Sequence, residues 1–199
     1  KLLSTMKELG LSLINVLLFF GLLVLVIDEE SGEKLTHSDS LEGLVKAGYK
    51  VAAAPAGPAK LREDVLSKRA ELARHKAPKG PLDVKLARGG LVDLEFIAHY
   101  LQLRDHQGLA PGVEVAIAGL IEAGLLPADF GAHFSTLARL LIAARLLAPD
   151  SHEPPTAARM ALARACGCDD YDALLAALVT ARTAIAAQWA VHFGEQLEV

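Results

Sequence analysis

Asp83-Val84-Lys85-Leu86-Ala87-Arg88-Gly89-Gly90-Leu91-Val92-Asp93-Leu94-Glu95-Phe96 joins a basic, glycine-terminated turn to an acidic helix start. Gly89 and Gly90 let the backbone turn sharply and approach a neighbour closely, and Leu91 to Gln107 reads as the helix launched by that turn. A free helix N-terminus attracts anions, and Lys85 and Arg88 add two positive charges just upstream. Lys85, Arg88, Gly89 and Gly90 are therefore the candidate nucleotide- or phosphate-binding residues. A helix terminus contributes about 0.3–1 kcal/mol per charge, whereas millimolar affinity already requires roughly 4 kcal/mol, so the turn would be one part of a larger site. The same two cations have a structural alternative, pairing with acids such as Asp83 and Asp93.

Outward from this stretch the chain reads as helices separated by breakers. Ala59–Lys76 places Leu61, Val65, Leu66, Leu72 and Ala73 on an apolar side, and Pro78, Gly80 and Pro81 end it. Leu82–Leu86 reads as extended. Further helices are expected at Val113–Leu125, Ala128–Ala148, Thr156–Ala165 and Tyr171–Gln196, punctuated by Pro111-Gly112, Pro127, Pro149 to Pro155 and Gly167. Leu174, Leu178, Ile185, Trp189 and Phe193 share one face of the last helix, the stripe of a helix packed on a bundle. The fold class is all-α, a helical bundle with short connections, preceded by an apolar N-terminal segment.

Composition agrees. Hydrophobic residues make up 52% and aromatics 5%, an alanine- and leucine-heavy balance that favours helices. Twenty basic against 24 acidic residues give a net charge of −4, which argues against a nucleic-acid-binding surface. Cys166 and Cys168 are too few for a disulfide framework and point to a reducing compartment.

On the motif helix, Glu95, His99, Gln102 and His106 fall on one stripe at 100° per residue, while Leu94, Ile97 and Leu101 share a second face and Phe96, Tyr100 and Leu103 a third. The helix should be buried on more than one side. Carboxylate and imidazole one turn apart can share a zinc ion, but third and fourth ligands are not evident, and a solvated or interdomain stripe is the favoured reading. Asp93 and Glu95, at the helix start, are of a type common there because acids interact well with the helix dipole. Cys166-Gly167-Cys168 lacks a histidine to complete a metal site and reads as a helix-ending turn. Trp189, alone on an apolar stripe, reads as core.

Residues 1–51 stand apart. Leu9–Ile27 is 19 residues without a charge, long enough to span a bilayer as a helix. Lys1 and Lys7 precede it and Asp28, Glu29 and Glu30 follow, an arrangement that would place everything downstream outside the cytoplasm. A soluble alternative has strands at Leu23–Ile27 and Tyr49–Ala54 around a short helix at Ser40–Ala47. Membrane helix, small β-α-β fragment and foreign sequence all stay open for this segment.

The order Asp-x-Lys, Gly-Gly, Asp-x-Glu-Phe and then an apolar helix ending Tyr100-Leu101-Gln102-Leu103 resembles the glutamine synthetase adenylyltransferase family, the bifunctional adenylyltransferase/adenylyl-removing enzymes. Leu61-Arg62-Glu63-Asp64-Val65-Leu66 through Arg69 and His75-Lys76 is similar to the helix that precedes this motif in the family. The resemblance covers about residues 52–199 and implies the family's C-terminal helical domain. Leu94 stands where the family usually has isoleucine, and His99 where glutamine is common. The resemblance further implies ATP and Mg²⁺ as cofactors of the parent enzyme. It implies a cytoplasmic location, or a membrane-associated one if Leu9–Ile27 spans a bilayer. The partners it implies are a nucleotidyltransferase catalytic core, glutamine synthetase and the PII signalling protein.

The family's Gly-Ser loop followed by a metal-holding Asp-x-Asp pair does not occur in this sequence, so no residue is assigned as catalytic or as a metal ligand. Under this resemblance Lys85, Arg88 and the Gly89-Gly90 amides would approach the nucleotide, and Asp93 and Glu95 would fix the turn or a magnesium-bound water. The alternative function is a non-catalytic helical interaction module, tethered to a membrane through Leu9–Ile27.

Overall fold

A computed structural model describes residues 57–110 and 112–199. The expectations for Leu9–Ile27 and the rest of residues 1–51 lie outside the described residues. Six helices follow in order: α1 Pro58–His75, α2 Leu91–Asp105, α3 Val113–Glu122, α4 Phe130–Leu147, α5 Thr156–Ala165 and α6 Tyr171–Phe193. No strand occurs among the described residues, so the chain is all-α there.

Local chemistry explains the boundaries. Pro58 occupies the first turn of α1, where a missing N–H costs nothing. Asp170 caps α6 by accepting from the Ala173 amide at 2.8 Å. At the other end of α6, the Arg62 guanidinium of α1 donates through Nε to the Phe193 carbonyl at 3.1 Å, satisfying an orphan acceptor and tying first helix to last. The helices end a few residues earlier than the apolar pattern predicts, at Asp105 rather than Gln107 and at Phe193 rather than Gln196. At these ends His106 and Gly194 adopt positive φ, which closes the helix.

α2 packs against α1, α3, α4 and α6, α4 packs against α2, α3, α5 and α6, and α4 and α6 share the most extensive interface. Trp189 is fully buried, edge-on to Phe96 at 6.4 Å between centroids and 4.3 Å from Phe193, which itself meets Tyr100 at 4.9 Å. This aromatic cluster fixes α2 against α6. α4 and α6 are long and apolar enough to cross a membrane, yet Leu174, Leu178, Ala181, Ile185, Trp189 and Phe193 all turn one side of α6 into the core.

Two details differ from the sequence reading. On α1, Ala73 is exposed, and the stripe from Leu61 through Val65 continues into Arg69, a buried arginine. Leu82–Leu86 is a succession of hydrogen-bonded turns and not an extended segment.

Candidate functional site

The reason for those turns is Asp83. Its carboxylate accepts from the Lys79 amide at 3.0 Å, the Lys85 amide at 3.3 Å and the Leu86 amide at 3.1 Å, so it caps a single coiled turn. Leu82 donates its amide to the Ser151 carbonyl at 2.9 Å, which anchors the turn to the α4–α5 connection. The chain then folds back on itself. Gly90 donates to Ala87 O at 3.0 Å, Leu91 to Val84 O at 2.8 Å and Val92 to Lys85 O at 3.2 Å. The Gly89 amide goes to Asp93 Oδ2 at 2.7 Å. The leading amides of α2 are thus engaged by protein acceptors.

The glycines are there for close approach. Gly89 has φ +70°, and a Cβ on it would fall 2.4 Å from the Arg182 carbonyl oxygen of α6. A Cβ on Gly90 would fall 2.4 Å from the Val84 carbonyl oxygen. Any side chain at either position would displace backbone.

Asp93 lies beneath the turn with no exposure and pairs with the equally buried Arg69 of α1. Arg69 Nε donates to Asp93 Oδ1, while Nη2 reaches Oδ2 at 3.4 Å and the Leu86 carbonyl at 3.1 Å. One ion pair therefore holds α1, the Gly-Gly turn and α2 together. Arg88 Nη1 approaches Asp93 Oδ1 at 3.9 Å, and the Arg88 carbonyl accepts from Arg182 Nε at 2.9 Å. Burial lowers the pKa of Arg182, and the Asp93 charge opposes the shift.

Lys85 and Glu95 face a different place. They line a cleft of about 350 Å³ between α1 and α2, rimmed by Lys68, Glu71, His75 and Lys76 and floored by Leu72, Leu86, Val92 and Phe96. Glu95 makes no hydrogen bond to a described residue, burial raises its pKa, and the Lys85 charge opposes the rise. Lys85 is exposed and Arg88 is turned toward Asp93, so the structure does not bring the two cations of the motif into one surface.

The polar stripe of α2 is more buried than a solvated face. His99 shares a 2.9 Å hydrogen bond with Gln102 Oε1, and Gln102 Nε2 donates to the carbonyls of Gly108 at 2.6 Å and Ala110 at 3.3 Å. His99 and Gln102 thus secure the α2–α3 connection, and burial lowers the His99 pKa. Cys166-Gly167-Cys168 forms the turn that ends α5, with both thiols free, and burial pushes the Cys166 pKa up to about 11, far from a reactive thiolate.

Sequence reasoning gave Arg69 no role beyond the family resemblance and did not single out Arg182. The signal for Arg69 was present: it sits four residues beyond Val65 and eight beyond Leu61, a charge in the middle of an apolar stripe.

No family model matches the chain, and no solved structure matches it. Curated relatives do. A protein of Caulobacter vibrioides is 43% identical over 90 residues, covering 44% of this chain and 8% of that protein. One from Chromobacterium violaceum is 38% identical over 117 residues, 54% of this chain and 13% of its own length. A third, from Rhizobium meliloti, is 53% identical over 45 residues. Each bears the name bifunctional glutamine synthetase adenylyltransferase/adenylyl-removing enzyme. The chain spans only about a tenth of the length of the first two. Over the matched part of its length, this chain is similar to proteins of that name.

Proposed function

We propose that this chain is the C-terminal helical part of a glutamine synthetase adenylyltransferase. It supports transfer of AMP from ATP to a tyrosine of glutamine synthetase, and the reversal of that transfer, in control of nitrogen assimilation. The observation that carries the reading is the 43% identity over 90 residues to a protein of that name. The ordered Gly-Gly turn and acidic helix start support it.

In this reading the bundle packs beside a nucleotidyltransferase core in the cytoplasm, and PII acts on the assembled enzyme. Lys85 approaches the nucleotide from the cleft, while Arg88, turned toward Asp93, and the buried Gly89-Gly90 turn lie on a separate surface. Magnesium does not fit the residues described here: Asp93 is occupied by Arg69 and the Gly89 amide, and no group of three or more His, Cys, Asp or Glu is gathered for a metal. Its ligands belong to the core, and Asp93 and Glu95 serve the turn and the cleft.

The test is transfer of labelled AMP from ATP to glutamine synthetase by a separately made nucleotidyltransferase core, with and without this chain. Addition of the chain is expected to raise the rate, and Lys85→Gln to raise the KM for ATP without unfolding the protein. An unchanged rate on addition would overturn the reading in favour of a non-catalytic interaction module.

A further inference from the structure

Asp93 is one carboxylate facing three arginines. Arg69 and the Gly89 amide take its two oxygens, leaving Arg88 with a 3.9 Å contact and no hydrogen bond. Arg88 Nη1 is buried without any hydrogen-bond partner among the described residues. Arg182 spends Nε on the Arg88 carbonyl and hydrogen-bonds no carboxylate there. Arginine stays charged in proteins, so three guanidiniums against one carboxylate leave two positive charges at the junction of the turn with α6. Of this excess, the Arg88 Nη1 group is itself buried and unmatched, and buried N–H groups are almost always paired.

We propose that Arg88 and Arg182 together bind one phosphate group beside Gly89. A phosphate monoester carries about −1.5 to −2 charge at pH 7 and matches the local excess, which a second carboxylate would only halve. Guanidinium forks also suit phosphate oxygens in bidentate geometry. The Arg88 side chain is 32% exposed, so phosphate meets its outer atoms first and reaches the buried Nη1 by a small rotation of the guanidinium. The phosphate can be inorganic or the phosphate of a nucleotide. The nucleotide source rests on the adenylyl-transfer reading, whereas the site itself rests on the arginines alone. Arg182 thereby joins Arg88 as a binding residue.

The experiment titrates the full chain with inorganic phosphate, and separately with AMP, at constant ionic strength, reading heat and thermal midpoint. Phosphate is expected to bind and to raise the midpoint where equivalent chloride does not. Arg88→Gln and Arg182→Gln should each weaken phosphate affinity about tenfold or more. Lys60→Gln, a remote surface change, should leave it as it is. Arg88 hydrogen-bonds nothing through its side chain, so Arg88→Gln folds and decides the matter even if Arg182→Gln does not. Tighter binding of AMP than of phosphate identifies a nucleotide, and equal binding identifies free phosphate at the same site. Phosphate binding no stronger than chloride, or unchanged in Arg88→Gln, overturns the site. Phosphate binding lost in Arg182→Gln while AMP transfer is untouched leaves the site standing and removes its link to adenylyl transfer.

Discussion

Asp93 and Glu95 are two positions apart in one motif, yet they occupy opposite situations. Asp93 is fully buried and has both oxygens engaged by Arg69 and the Gly89 amide. Glu95 lines an open cleft without a hydrogen bond, beside Lys85. Two residues along a helix is a rotation of roughly 200°, so neighbouring acids of one motif address different surfaces. The first acid is part of the scaffold that shapes the turn. The second faces the cleft without a hydrogen bond to a described residue, and burial raises its pKa.

The comparison breaks most visibly if the buried acid is removed. Asp93→Ala leaves the Arg69 charge buried and unpaired, with an expected loss of roughly 3–5 kcal/mol in chemical denaturation. Replacing both partners with apolar residues, Asp93→Leu with Arg69→Met, should recover much of that loss, because the desolvation cost disappears with the charges. A loss under about 1 kcal/mol for Asp93→Ala would show that the pair is solvated in solution and that the contrast with Glu95 is false.

A smaller effect is expected at the turn. Gly89→Ala places a Cβ against the Arg182 carbonyl in a positive-φ conformation, with an expected cost of about 1–3 kcal/mol by thermal or urea unfolding. Neutrality there would mean that α6 can withdraw from the turn without penalty.

The smallest effect, opposite in sign, belongs to Glu95. Its folded pKa lies above the ordinary 4.5, so folding takes up protons, and the associated stability is present below 4.5 and lost as pH rises through the folded pKa. Glu95→Gln should therefore raise the melting temperature at pH 7 and flatten its decline above pH 4.5. A lower melting temperature at pH 7 would show that Glu95 forms a stabilising pair with Lys85 and is no freer than Asp93.

Much of the fold was legible because it follows from periodicity and punctuation. Thr156–Ala165 begins and ends where the breakers place it, and the stripe Leu174, Leu178, Ile185, Trp189, Phe193 is the buried side of α6. Leu82–Leu86 was misread as extended because an apolar pair flanking a charge looks like a strand, whereas the Asp83 carboxylate and the Gly90, Leu91 and Val92 amides coil it into turns. The stripe of α2, read as solvated or interdomain, is exposed only at His106, because periodicity reports which residues share a face and not what that face meets. His99 and Gln102 meet each other and the α2–α3 connection.

The sequence by itself determined the all-α class, the helix order, the turn at Gly89-Gly90 and the resemblance to an adenylyltransferase family, since each depends on residue type at short spacing. Only the tertiary structure decided which charges meet. Arg69 lies 24 residues before Asp93, and Arg182 lies 94 residues after Arg88. Electrostatic and hydrogen-bonding partners act over a few ångströms of space and are indifferent to distance along the chain, so the packing of α1 and α6 on α2 was needed to assemble them.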